Sequence, residues 1–295
     1  MSHPFEHTTS DDRHWTGRTN LGPGFEATAG APLVIALHGG TYTSAFFDIP
    51  GHSLLDDAVD PGVPVIALDR PNYAGSSPLT SEGSIIAANA EVLGEAIGSI
   101  WQQYGADAAG VVLVAHSIGG AVATEIAATP QSWPLLGLAT SGCLVRVPQE
   151  SAAAWEALPD IPMIDLPGPL KDQLMFGPDS TYDAAMPAAS HASDAPVPKA
   201  ELLDITGGWI ARRAEVCGRV TVPVHHRQAE FDHLWVTDEA EVDAYRAGFT
   251  AAPRTDIALE PGTGHCIDFH LPSGEFHRSQ LAFAASCAAA APAAS

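Results

Sequence analysis

The stretch Val111-Val112-Leu113-Val114-Ala115-His116-Ser117-Ile118-Gly119-Gly120 decides the fold class of this chain. Its five leading apolar residues read as a short buried strand, and the Ala-rich run that follows, to Thr129, reads as a helix. A serine at a strand-to-helix elbow of this kind is held in a strained backbone conformation with its hydroxyl exposed above the sheet. Small neighbours are required because the two backbones approach closely there, and Ala115 and Gly119 supply them. The competing reading of Ser117 is a plain helix N-cap; the strand–turn–helix setting favours a nucleophile.

Outward from this elbow the chain alternates strands and helices. Leu33–His38 and Val63–Leu68 are apolar runs ending at Gly39-Gly40 and Asp69-Arg70-Pro71, and residues 84–104 carry apolar side chains at helical spacing. Leu135–Ala139, Thr221–His225 and Asp256–Leu259 read as further strands, with a helix over Asp238–Phe249. Residues 1–30 suit one or two short edge strands, and the Ala-rich end after Leu281 reads as a helix fraying into a small-residue tail. Continuously apolar strands separated by helices predict an α/β fold, a mostly parallel, doubly wound sheet covered on both faces. Between about Val145 and Val216 the alternation stops. That stretch holds nine prolines with large apolar residues such as Trp155, Leu166 and Met175. A structureless loop of that length is improbable in a compact domain. The expected organisation is a core of residues 1–144 and 217–295 with an inserted helical cap, residues 145–216, over the C-terminal edge of the sheet.

Two further loops complete the chemistry. His38-Gly39-Gly40-Thr41 follows the first core strand, where backbone N–H groups can stabilise a developing oxyanion. Ile118 is expected to give one donor and Gly40, or Thr41, the other. Pro261-Gly262-Thr263-Gly264-His265 follows the last strand, so a glycine-rich loop can fold His265 back toward Ser117. His270 and His277 are assigned to the following helix, pointing elsewhere.

On these residues the chain resembles the α/β-hydrolase superfamily, closest to its capped, esterase-like and proline iminopeptidase-like branch, from about Leu33 to Ala284. The order oxyanion loop, serine, acid, histidine matches that superfamily, with Ala115 where a glycine is usual. Asp69 to Ser77 resembles its D-x-x-G-x-G-x-S turn, with Asn72 and Ala74 as departures, and that turn is structural. The resemblance puts the acid after the penultimate strand in a G-x-x-D pattern. Ala229-Glu230-Phe231-Asp232 occupies the place, which selects Asp232 and leaves Glu230 as the alternative acid. An imidazole needs such a carboxylate to hold its tautomer and stabilise its charged form. Expected substrate contacts are His38, Thr41 and His116 beside the nucleophile, and Trp155 and Met175 in the cap.

Composition narrows the function classes. The 295 residues include 35 acidic against 13 basic side chains, a formal charge of −22 that repels nucleic acid and anionic membranes. No apolar run is long enough to span a bilayer, and the polar N-terminus has no signal-peptide core. Four widely spaced cysteines without a C-x-x-C pair fit reduced thiols in a cytoplasmic protein. His225, His226 and His233 lack metal-ligand spacing, so neither a metal nor another cofactor is expected. The partner is a small molecule with an apolar group; the oligomeric state stays open. The expected activity is that of a serine esterase, a carboxylic ester, thioester or amide being cleaved through an acyl-enzyme on Ser117. The alternatives are acyl transfer, carbon–carbon hydrolysis or a lyase reaction on the same triad, or a receptor that keeps the pocket without hydrolysis. An aspartate-nucleophile mechanism is disfavoured by the serine at the elbow.

Overall fold

The computed structural model describes residues 2–291. In chain order it lays down β1 (His3–Thr8), β2 (His14–Thr19), β3 (Leu33–Leu37), a small hairpin of β4 (Asp48–Ile49) and β5 (His52–Ser53), then β6 (Val65–Leu68), β7 (Val111–His116) and β8 (Leu135–Ser141). The pair β9 (Met163–Ile164) and β10 (Val197–Pro198) precedes β11 (Val224–Ala229) and β12 (Thr255–Glu260). One eight-stranded sheet has the order β1-β2-β6-β3-β7-β8-β11-β12. The N-terminal hairpin joins it antiparallel through β2 and β6, whereas the strands from β6 to β12 run parallel.

Every residue of β3 and β7 is buried. Successive strand side chains point to opposite faces, so Leu33, Ile35, Leu37 and Leu113 pack into one core with Ile86, Ile97 and Val122 of the helices Ile85–Tyr104 and Ile118–Ala127. Val34, Ala36, Val112 and Val114 face the other way, onto Leu281, Phe283 and Ala284 of the helix Ser273–Ala289. Full burial on both faces is why these strands are continuously apolar rather than alternating. In register, Leu37 lies beside Ala115, His116 beside Ser141, and Ala229 beside Glu260. The loops after β3, β7, β11 and β12 therefore leave the sheet at the same edge.

Residues 145–216 are not a structureless loop. They hold the helices Gln149–Glu156, Gly168–Met175, Met186–Ser190, Lys199–Thr206 and the start of Gly208–Gly218, together with the β9–β10 pair. Their apolar side chains anchor to both cores: Trp155, Leu166, Leu202 and Trp209 to one, Met175, Phe176 and Met186 to the other.

The fifth strand departs from the sequence expectation of Thr221–His225. It runs over Val224–Ala229, so His226 and Gln228 are buried inside it. Pro223 has no N–H to donate to a ladder, and the polar side chains are tolerated because they are bonded, His226 Nδ1 to Thr140 Oγ1 at 2.9 Å and Gln228 to Asp232. His270 stands before the last helix rather than in it; His277 does lie in it. The small-residue tail beyond residue 291 lies outside the described residues.

Candidate active site

Ser117 is one residue past β7 and immediately before the helix Ile118–Ala127, with φ 53° and ψ −123°. A non-glycine residue there costs about 1–3 kcal/mol and persists only when its surroundings hold it. Three bonds do so: Ser117 N–H donates to Ser141 O at 2.8 Å, and Ser117 O accepts from Ala121 N at 3.1 Å and from Cys143 Sγ at 3.0 Å. The next turn needs glycine, since a Cβ on Gly119 would run into the Leu37 and His38 carbonyl oxygens. The elbow thus projects the hydroxyl above the sheet edge.

His265 reaches it from the loop after β12. Ser117 Oγ lies 3.0 Å from His265 Nε2, and His265 Nδ1 lies 2.7 Å from Asp232 Oδ2. A carboxylate can only accept, so Nδ1 carries the proton and Nε2 is free to accept the serine proton. Asp232 is held by Gln228 Nε2 on Oδ2 (2.6 Å) and by Leu234 N–H on Oδ1 (2.8 Å). Its side chain and that of His265 are almost fully buried, at 0 % and 1 % exposure. Glu230, the alternative acid, is exposed and accepts from Gly262 N–H at 2.9 Å, on the loop's backbone rather than its histidine. His270, expected to point elsewhere, ties this loop down. Its Nε2 accepts from Gly264 N (2.9 Å) and Gly177 N (3.1 Å), while Nδ1–H donates to Cys266 O at 2.8 Å. Burial keeps it neutral, with a pKa lowered to about 4.

Gly40 packs on the Ile118 side chain, and Gly39 against Ser117, so the oxyanion-loop candidates lie beside the elbow. Thr41 takes the left-handed φ of 65°, unusual for a β-branched residue. An apolar cavity opens over Ser117 and His265. Of the expected substrate contacts, Thr41, His116, Trp155 and Met175 line it. Thr41 Oγ1 has no hydrogen-bond partner among the described residues. His116 is stacked on Phe46 at 4.7 Å and 10°, and its pKa lies well below the usual value, first through burial and then through His265 and His38.

His38, expected as a substrate contact, does not line the cavity. It is fully buried: its Nε2 accepts from Arg70 N–H at 3.0 Å, so Nδ1 carries the proton and donates to Gly39 O at 2.7 Å. It braces the loop instead of touching its contents. Leu202, Ile205, Leu234 and Trp235 also line the cavity and were not singled out from sequence. Leu234-Trp235, an apolar pair one residue beyond Asp232, is the signal the sequence offers. Among the described residues no group of three or more His, Cys, Asp or Glu side chains is arranged to hold a metal ion. None of the helices described is long and apolar enough to cross a membrane.

A hydroxyl bonded to an imidazole whose other nitrogen holds a buried carboxylate is equipped to attack an electrophile while losing its proton. Comparison with known proteins bears on which. The family model described as "alpha/beta hydrolase family" matches residues 34–278. No curated protein sequence matches. Among solved structures, an esterase from Thermogutta terrifontis superposes with a TM-score of 0.65 at 15% identity, covering 97% of this chain and 99% of its own. E-2-(acetamidomethylene)succinate hydrolase gives 0.68 at 17%, covering 95% and 99%. A haloalkane dehalogenase loop variant from Bradyrhizobium elkanii gives 0.62 at 16%, covering 98% of each chain. At these identities the likeness is one of fold.

Proposed function

The chain belongs to the alpha/beta hydrolase family, and on that premise we propose that it is a serine hydrolase acting on carboxylic esters, thioesters or amides that carry an apolar group. The observation that carries this reading is the hydrogen-bonded series Ser117–His265–Asp232, opening into an apolar cavity. Ser117 Oγ attacks the substrate carbonyl carbon as His265 Nε2 takes its proton. The tetrahedral oxyanion is stabilised by the N–H groups of Gly40 and Ile118. Collapse expels the alcohol, thiol or amine, which receives the proton from His265, and leaves an acyl-enzyme. Water deprotonated by His265 then releases the acid and restores Ser117.

Residues 145–216 act as the cap that shapes the pocket, Trp155, Leu166, Met175, Leu202 and Ile205 giving an apolar wall. That wall favours an uncharged apolar group on the substrate. Four free, buried cysteines support a cytoplasmic setting. A panel of p-nitrophenyl esters and acyl thioesters, followed by rapid mixing, tests the reading. Turnover should rise with the apolar character of the acyl or leaving group, with an initial burst where deacylation limits. Failure of the folded protein to turn over any member of the panel would remove it.

A further inference from the structure

The loop 38–41 is gripped by its carbonyls. Arg70, fully buried, donates from Nε to His38 O at 2.8 Å and from Nη2 to Gly39 O at 3.1 Å. In a trans peptide the C=O and the following N–H point in opposite directions. Fixing Gly39 O therefore fixes the aim of the Gly40 N–H, away from Arg70, and Gly40 itself lines the cavity. On the other side, Lys171 Nζ donates to Thr41 O at 2.8 Å, which also accepts from Ala195 N at 2.9 Å, and holds Thr41 in its left-handed conformation.

Neither buried cation would be stable unpaired, and both counter-charges come from the segment 145–216. Glu201 accepts from Arg70 Nη1 at 2.7 Å and Nη2 at 2.9 Å, with Tyr73 Oη donating to it at 2.8 Å, all with side chains buried. Asp194 pairs with Lys171, whose ammonium also sits over the Tyr42 ring, 3.6 Å from its centroid. From this we infer that Glu201, through Arg70, aims the Gly40 N–H at the reacting carbonyl oxygen, and that Asp194, through Lys171, holds the Thr41 turn that follows it, so that both are positioning residues. The inserted segment is then part of the oxyanion apparatus as well as a pocket wall. The inference rests on the proposed serine-hydrolase reading, in which Gly40 is an oxyanion donor.

The test compares Glu201→Gln, and the charge-balanced double variant Lys171→Met with Asp194→Asn, against wild type. Active sites are titrated with a fluorophosphonate, so that kcat is expressed per competent serine and misfolded molecules drop out. For a p-nitrophenyl ester, kcat per site should fall on the order of 10–100-fold with KM little changed, less than the ~10²–10³-fold loss of a whole donor. The inhibition constant for an arylboronic acid, whose serine adduct is tetrahedral, should weaken in the same proportion. Either variant, if folded, is sufficient. Wild-type kcat per site and boronate affinity in the folded variants would overturn the inference while leaving the hydrolase reading intact. A wild-type protein that neither labels nor hydrolyses would overturn that reading, and this inference with it.

Discussion

Asp232 Oδ2 accepts the Nδ1 proton of His265 at 2.7 Å, although Glu230 lies only two residues away in the chain. The strand β11 ends at Ala229 and the chain turns, so the two carboxylates diverge: Asp232 to the imidazole, Glu230 to the Gly262 N–H. Asp232→Asn should keep the fold but favour the wrong imidazole tautomer, lowering kcat by about 10⁴-fold. Glu230→Gln retains an acceptor for Gly262 and should stay close to wild type. Steady-state kinetics on both folded proteins check the pair; the reverse pattern would make Glu230 the orienting acid.

The pocket wall offers a second prediction. Trp155 and Met175 line the cavity without bonding to Ser117, His265 or Asp232. Replacing either with alanine should change which acyl or leaving groups are accepted, measured as ratios of kcat/KM across an ester panel. Covalent labelling of Ser117 should persist. Abolished labelling in folded protein would mean that these side chains belong to the chemistry.

Two adjacent glycines should respond oppositely to alanine. A Cβ on Gly119 meets backbone carbonyls that cannot move without shifting β3, whereas on Gly120 the nearest atom is Ser141 O at 3.5 Å, an ordinary contact. Gly119→Ala should destabilise by about 1–3 kcal/mol, the cost of overpacking. Gly120→Ala, inside a helix, should be neutral or stabilising by up to ~1 kcal/mol. Denaturant melts of the two variants read the difference.

The buried histidines set the pH dependence of stability. Burial alone would lower the pKa of His277, but its hydrogen bonds to Asp268 (3.1 Å) and Asp57 (2.9 Å) raise it to about 9. Its contribution is complete below the unfolded pKa of about 6.5 and is lost as pH rises from there to about 9. Burial, first of all, lowers His225 to about 4 and His226 to about 3, with Arg227 adding to both. Their contribution is present above about 6.5 and is lost as pH falls toward 4 and 3. Stability from these groups should therefore peak near pH 6.5. His277→Gln should flatten the alkaline side and leave the acid side, as followed by melts at a series of pH values; an unchanged alkaline slope would contradict the assignment.

What was legible in the sequence follows from which interactions are local. Continuous apolar runs marked β3, β6 and β7 because these strands are buried on both faces, and the elbow showed itself because Gly119 is forced by a backbone approach. The strand β11 is displaced from its sequence expectation because His226 and Gln228 look like surface residues, whereas in the fold they are buried and bonded through Nδ1 to Thr140 and through Nε2 to Asp232. His38 next to the glycines suggested a ligand contact, whereas its partners are Arg70 and Gly39. Arg70, Lys171 and Glu201 carried no signal at all. A charged side chain is expected at the surface, and partners distant in the chain, Glu201 for Arg70 and Thr41 for Lys171, are not visible from sequence.

Mass spectrometry after fluorophosphonate treatment tests whether Ser117 is the covalent nucleophile. A single adduct should appear on the peptide containing Ser117. It should be lost in His265→Ala, along with about 10⁴–10⁶-fold of the turnover, because the residues act as a unit. An adduct on any other residue, or none on folded wild-type protein, would mean that Ser117 is not the nucleophile.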